Sequence, residues 1–158
     1  MNGLGIKTEE RSSAAQKIIY ILKASSVNLG YTFSWDVGGP YSRGLSKDVE
    51  ICERENEELL SYLKLHRLVF KKAVRPRVNL ARSLMIKPRW ANAISALAWL
   101  DLVSSLLFRR DELDNFCKRE VVKEITDRKP HFRPCQEIVE QAWDYLEANL
   151  PSKTAAFA

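Results

Sequence analysis

Between Ser12 and Val27 the apolar residues Ala15, Ile18, Ile19, Leu22 and Val27 recur at spacings near three and four, which predicts an amphipathic helix capped by Ser12 or Ser13. Asn28 and Gly30 tolerate left-handed backbone and are expected to end it. The period then changes. Tyr31, Phe33, Trp35 and Val37 alternate with Thr32, Ser34 and Asp36, and period two predicts a half-buried strand. Gly38, Gly39 and Pro40 read as a break that allows neither more strand nor an immediate helix. Helical spacing returns with Leu45, Val49 and Cys52, with Ser42 or, because Gly44 is unfavourable in a helix, Ser46 as the cap.

Periodicity does not settle the stretch from Leu59 to Leu84. Tyr62, Leu65, Leu68, Val69 and Ala73 fit a helix, while the run Leu65 to Phe70 is compatible with a strand. Pro76 favours extended backbone at Arg75, so the expectation is a helix or turn ending near Leu65, then an irregular or hairpin-like segment to about Leu84. Trp90 to Phe108 reads as a long apolar helix entered through Pro88, with Asp101 on its wetter side. Its most apolar part, Ala93 to Phe108, would rise only about 24 Å, short of a hydrocarbon core of roughly 30 Å. Asp111 is expected to cap a helix whose Leu113, Phe116, Cys117, Val121 and Ile125 face the core; Lys129 and Pro130 break it. Pro134 starts a last helix, with Ile138, Ala142, Tyr145 and Leu146 in register, and Pro151 stops it. The fold class read from this pattern is mainly α: a single compact helical domain over residues 12–150, with a short β-strand or small β-hairpin and room for a winged-helix-like arrangement. Residues 1–11 read as a flexible N-terminus and 151–158 as a frayed tail.

Composition agrees with a globular chain: 158 residues, 46% apolar and 28% charged, with 6 glycines and 6 prolines. Net charge changes the picture more than composition does. The chain carries +5, yet the 42 residues from Leu59 to Leu100 contain no Asp or Glu and nine basic side chains: Lys64, Arg67, Lys71, Lys72, Arg75, Arg77, Arg82, Lys87 and Arg89. That segment is +9, which leaves −4 for the remainder. Such a surface attracts polyanions and releases counterions from a nucleic-acid backbone. Lys71, Lys72, Arg75, Arg77, Arg82, Lys87 and Arg89 are therefore the candidate binding residues, with Arg75 and Arg77 flanking Pro76 in an extended loop. The partner they imply is an acidic protein or a nucleic acid, and a homodimer would double the surface. The plain alternative is neutralisation within the chain by Glu50, Glu53, Glu57 and Glu58.

Catalytic and metal chemistry find little support. Cys52, Cys117 and Cys135 are too widely spaced for a zinc site with only His66 and His131 to help, and read as buried free thiols. His131 and Cys135 are four apart, but Pro134 interrupts any shared helical face. The Gly38-Gly39-Pro40 turn lacks both phosphate-loop and dinucleotide fingerprints. No catalytic residue, metal or cofactor is assigned, and the chain reads as a non-enzyme. Three cysteines and the absence of an N-terminal apolar leader point to a reducing, cytoplasmic setting with no membrane partner.

One segment resembles a known group. Lys17-Ile18-Ile19-Tyr20, Gly30, the aromatic Tyr31, Phe33 and Trp35, and Gly39-Pro40-Tyr41-Ser42 leading to Leu45 and Asp48 resemble the N-terminal part of YwgA-like and SocA (Panacea)-like bacterial and phage proteins. Gly38, where an aromatic is usual, and Gly44, where a helix former is common, depart from that pattern. The resemblance covers residues 16–50. It implies a small helical fold with a short β element and a regulatory, antitoxin-like or adaptor role, and it brings no catalytic residues. Read from the residues themselves, Gly39-Pro40-Tyr41-Ser42 is a rigid turn, an aromatic anchor and a helix cap. The functional expectation is a non-enzymatic regulatory or adaptor protein of antitoxin-like type that meets a protein partner through its basic surface. The alternative is a nucleic-acid-binding regulator using residues 64–89.

Overall fold

Nothing in Thr8 to Arg11 opposes a helix, and the first one starts there: α1 spans Thr8–Ala24. Ser12 and Ser13 thus lie inside α1 instead of capping it, and the flexible N-terminus expected over 1–11 is helical from Thr8 on. The coordinates are a computed structural model that describes residues 8–65, 70–112 and 117–150. α1 ends before Asn28 and Gly30 are reached. Ser26 takes a φ of 65°, its N–H bonds the Lys23 carbonyl, and the Val27 N–H bonds that of Leu22. This is a Schellman closure with serine in the left-handed position that glycine usually fills.

The aromatic segment keeps less strand than its alternation predicts, and it gains a partner. β1 is Ser34–Asp36 and β2 is Gly39–Tyr41, paired antiparallel with Trp35 opposite Pro40. The Gly-Pro stretch, expected to forbid strand, forms β2. Asp36 and Gly39 close a two-residue turn as a hydrogen-bonded pair, so Pro40 falls at the next, non-bonded position. A proline there loses no ladder bond.

Ser42 accepts from the Leu45 N–H and caps α2, Arg43–Arg54, with Gly44 tolerated in the first turn. The ambiguous stretch becomes two helices, α3 (Asn56–Leu65) and α4 (Arg75–Met85). The expected extended or hairpin-like segment around Arg75 is thereby corrected. Pro76 lies in the first turn of α4, where no intrahelical N–H is required. Residues 66–69, including His66 and Arg67, lie outside the described residues.

The long apolar helix starts later than its sequence suggests. A 3-10 turn covers Arg89–Ala91, and Ser95 then accepts from the Ala98 N–H to open α5, Ala96–Glu112. α5 forms the axis of the fold, packing on α1, α4, α6, α7 and β2. Its Trp99, Leu102, Val103, Leu106 and Leu107 are fully buried. Asp111 belongs to the last turn of α5, and Leu113 and Phe116 lie outside the described residues. Cys117 stands at the N-cap of α6, Lys118–Arg128, a 3-10 turn follows over Pro130–Cys135, and α7 is Gln136–Asn149. The expected tail 151–158 is likewise outside the described residues. Among those described, seven α-helices and one hairpin enclose a common core from Tyr20 to Leu150. No single described helix is long and apolar enough to cross a membrane.

Candidate functional site

The basic segment is built on α4. Val78, Ala81 and Leu84 turn inward at three-residue spacing, which leaves Arg75, Asn79, Arg82 and Ile86 on the opposite, exposed face. Lys71 and Lys72 are exposed just ahead of the helix, and Arg77 reaches the Ser26 carbonyl at 3.3 Å. Two residues are placed differently from the rest. Lys87 is half-buried and donates to the Ile94 carbonyl at 2.8 Å, a loop-bracing role, while Arg89 sits exposed in the 3-10 turn. Among the described residues none of these seven forms an ion pair, with Glu50, Glu53, Glu57, Glu58 or any other carboxylate.

The placement runs against helix electrostatics. Lys71, Lys72, Arg75 and Arg77 gather at the N-terminal end of α4, which has no acidic residue in its first turn. The macrodipole is positive at that end and favours anions, so the four cations there raise the potential and cost stability. Apolar side chains are exposed nearby in sequence: Phe70, Ile86 and Trp90. Trp99 is fully buried and donates to the Leu84 carbonyl at 2.9 Å. It is a core residue.

The Gly39-Pro40-Tyr41-Ser42 motif is anchored otherwise than expected. Gly39, Pro40 and Ser42 are buried, whereas Tyr41 points outward and is exposed, because alternation along β2 gives it the solvent side. The anchor is Gln16 of α1. Its carboxamide accepts from the Ser42 N–H at 2.8 Å and donates to the Ser42 carbonyl at 2.9 Å. The cysteines also differ from expectation: Cys52 and Cys117 are exposed and Cys135 is half-buried, since Cys52 lines an open groove beside Leu45 and Val49 at the end of α2 and Cys117 stands at a helix cap. Among the described residues no cluster of His, Cys, Asp and Glu could hold a metal ion.

A second site escapes sequence reasoning altogether. Lys129, almost fully buried, donates to both Asp101 carboxylate oxygens at 2.8 and 3.0 Å and to the Gly38 carbonyl at 3.1 Å. Lys17 is also buried; its amine lies 3.8 Å from the same carboxylate and 2.6 Å from the Ser13 hydroxyl. The His131 imidazole, exposed at the rim, stands 3.5 Å from Asp101. Burial holds the Lys17 ammonium below the usual lysine range, and Lys129 acts in the same direction, while Asp101 opposes them. The only sequence signal was a lone carboxylate in an apolar run. Its partners come from elements far away in the chain.

Trp35 ties this group to the core. Arg109, Arg128 and Lys129 lie 5.1, 5.4 and 5.9 Å from its ring centroid, and Phe108 lies 5.5 Å away. Arg109 is buried and paired with Glu112 and Glu124. No family model matches this chain, and no curated protein or solved structure is significantly similar to it, so its function is read from geometry.

Proposed function

We propose that this protein is a non-enzymatic regulator or adaptor that docks an acidic protein partner on the outer face of α4 and the residues flanking it. The observation that carries the reading is the basic set Lys71, Lys72, Arg75, Arg77 and Arg82 on and just ahead of α4, which forms no ion pair among the described residues, with Phe70, Ile86 and Trp90 exposed beside it in sequence. Apolar groups rimmed by charge suit protein docking, since the apolar contact supplies affinity and the charges steer. An antitoxin-like role is what the resemblance of residues 16–50 adds. A nucleic-acid partner is the second reading, favoured by the absence of any acidic residue from Leu59 to Leu100.

Fluorescence anisotropy separates the two readings. The probes are a labelled amphipathic peptide with Glu and Leu at helical spacing and a labelled DNA duplex, each at two salt concentrations. Docking of protein predicts that the peptide binds with an apolar component that survives salt, is weakened by Ile86→Asp and is abolished by the Arg75→Glu/Arg82→Glu pair. The nucleic-acid reading predicts duplex binding whose logarithmic salt slope is near −3 to −4, as expected for about four neutralised phosphates. Normal binding of both probes by the double variant overturns both readings.

A further inference from the structure

Two buried ammonium groups share one carboxylate in this fold. Lys129 spends its three donors on Asp101 and Gly38, which makes the Lys129–Asp101 pair neutral and internally satisfied. Lys17 is then left with the Ser13 hydroxyl and a more distant contact to a carboxylate already matched. Among the described residues one positive charge is left unbalanced. A buried charge of this kind is relieved by losing its proton or by gaining an anion.

The surroundings favour an anion of a particular shape. A cleft of about 550 Å³ opens on Lys17 between α1, the hairpin turn, the start of α5 and the turn after α6. Its charged lining is Lys17, Asp101, Lys129 and Arg128, the last already paired with Glu124 at 3.0 Å, with His131 at the rim, and its walls include Leu97, Ala98 and Pro130. Leu97 is a large apolar side chain left exposed on α5. A surplus of one charge matches a singly charged oxyanion, and the apolar walls match a hydrocarbon tail.

We infer that this cleft binds the carboxylate of a small apolar acid, with Lys17 as its counter-ion, His131 as a second donor, and the tail along Leu97, Ala98 and Pro130. Asp101 does not repel the ligand outright because Lys129 neutralises it. The site is independent of the α4 face. Two sources share the chemistry: a free carboxylic acid, and the C-terminal carboxylate of an apolar peptide.

NMR titration of the full chain with hexanoate, hexanamide, acetyl-trileucine and acetyl-trileucine amide tests the assignment, with lysine side chains labelled. Hexanoate is expected to raise the titration midpoint of the Lys17 amine and to shift the Gly38, Ala98 and His131 resonances, while neither amide does so. Binding of acetyl-trileucine in addition to hexanoate identifies a peptide terminus as an acceptable source; binding of hexanoate alone restricts the site to free acids. Lys17→Met keeps the aliphatic stem, removes the surplus charge and is expected to fold. It should weaken binding at least tenfold. Leu97→Glu, a surface change, should do the same by repulsion. The inference is overturned if hexanamide binds as well as hexanoate, if both single variants retain full affinity, or if no resonance near Lys17 responds to either acid at 20 mM.

Discussion

Gly39 has a φ of 105°, and a β-carbon on it would sit 3.1 Å from the Ser105 hydroxyl and 3.5 Å from the Lys129 amine. A β-carbon on its neighbour Gly38 would meet nothing within 4 Å. Gly39→Ala is therefore expected to lower unfolding free energy by about 1–3 kcal/mol, from backbone strain and displacement of the buried ion pair. Gly38→Ala should stay within about 0.5 kcal/mol of the parent protein. Urea titration of the two variants checks this, and equal losses would contradict it. Lys129→Met isolates Asp101 from its main partner, and breaking a buried pair from one side costs about 3–5 kcal/mol. Tyr20 gives a pH signature. Burial first, then the Asp111 charge 2.8 Å from its hydroxyl, pushes its phenol far above the ordinary value. The folded state keeps a proton that the unfolded state releases near pH 10. This contribution is fully present below about pH 10 and is lost as pH rises beyond it. Tyr31, bonded to Asp48 from an exposed position, shifts in the same direction. Absorbance at 295 nm should show Tyr20 un-ionised until the protein unfolds, and Tyr20→Phe should flatten the alkaline fall in stability.

At the scale of elements, α4 trades stability for surface charge. Its first turn lacks an acidic residue and its N-terminal end collects four cations. Exchanging Lys72 and Arg75 for Glu should then stabilise the fold by about 0.3–1 kcal/mol per site through the macrodipole while abolishing partner binding. A thermal melt combined with the anisotropy assay reads both effects, and a stability loss would show that these side chains brace the helix. The hairpin to α2 junction shows the opposite economy. Ser42 caps α2 with its side chain, and Gln16 holds its buried backbone groups from α1. Gln16→Ala leaves both groups without their partner, so its cost should exceed the cap loss of about 1 kcal/mol expected for Ser42→Ala.

At the scale of the whole molecule, charge is segregated along the chain, +9 over Leu59 to Leu100 against −4 elsewhere. α3 combines Glu57 and Glu58 with exposed Leu59, Leu60, Tyr62 and Leu65. A molecule carrying an acidic apolar helix and an unpaired basic one is expected to self-associate weakly at low ionic strength. Sedimentation velocity should show a concentration-dependent increase in sedimentation coefficient at 20 mM salt that disappears at 300 mM (a Debye length of about 20 Å falling to about 6 Å). Association that strengthens with salt would instead indicate an apolar interface.

The sequence by itself determined that the chain is mainly helical, that Ser42 opens a helix, that Lys129-Pro130 ends one, and that basic residues concentrate after Leu59. Each of these rests on local physics: side-chain period, caps, prolines, and a count of charges. It misjudged positions where local preference was overridden. Pro76 began a helix instead of extending the chain, Pro40 fitted a non-bonded strand position, and Tyr41 went to solvent because pairing with β1 fixed its side. Only the tertiary structure could bring Lys17, Asp101, Lys129 and Gly38 together, since they come from α1, α5, the end of α6 and a hairpin turn. The exposure of the cysteines and the lack, among the described residues, of ion pairs to the α4 cations were decided in the same way. Both depend on which faces the helices bury against one another, and that choice belongs to packing, not to any one segment.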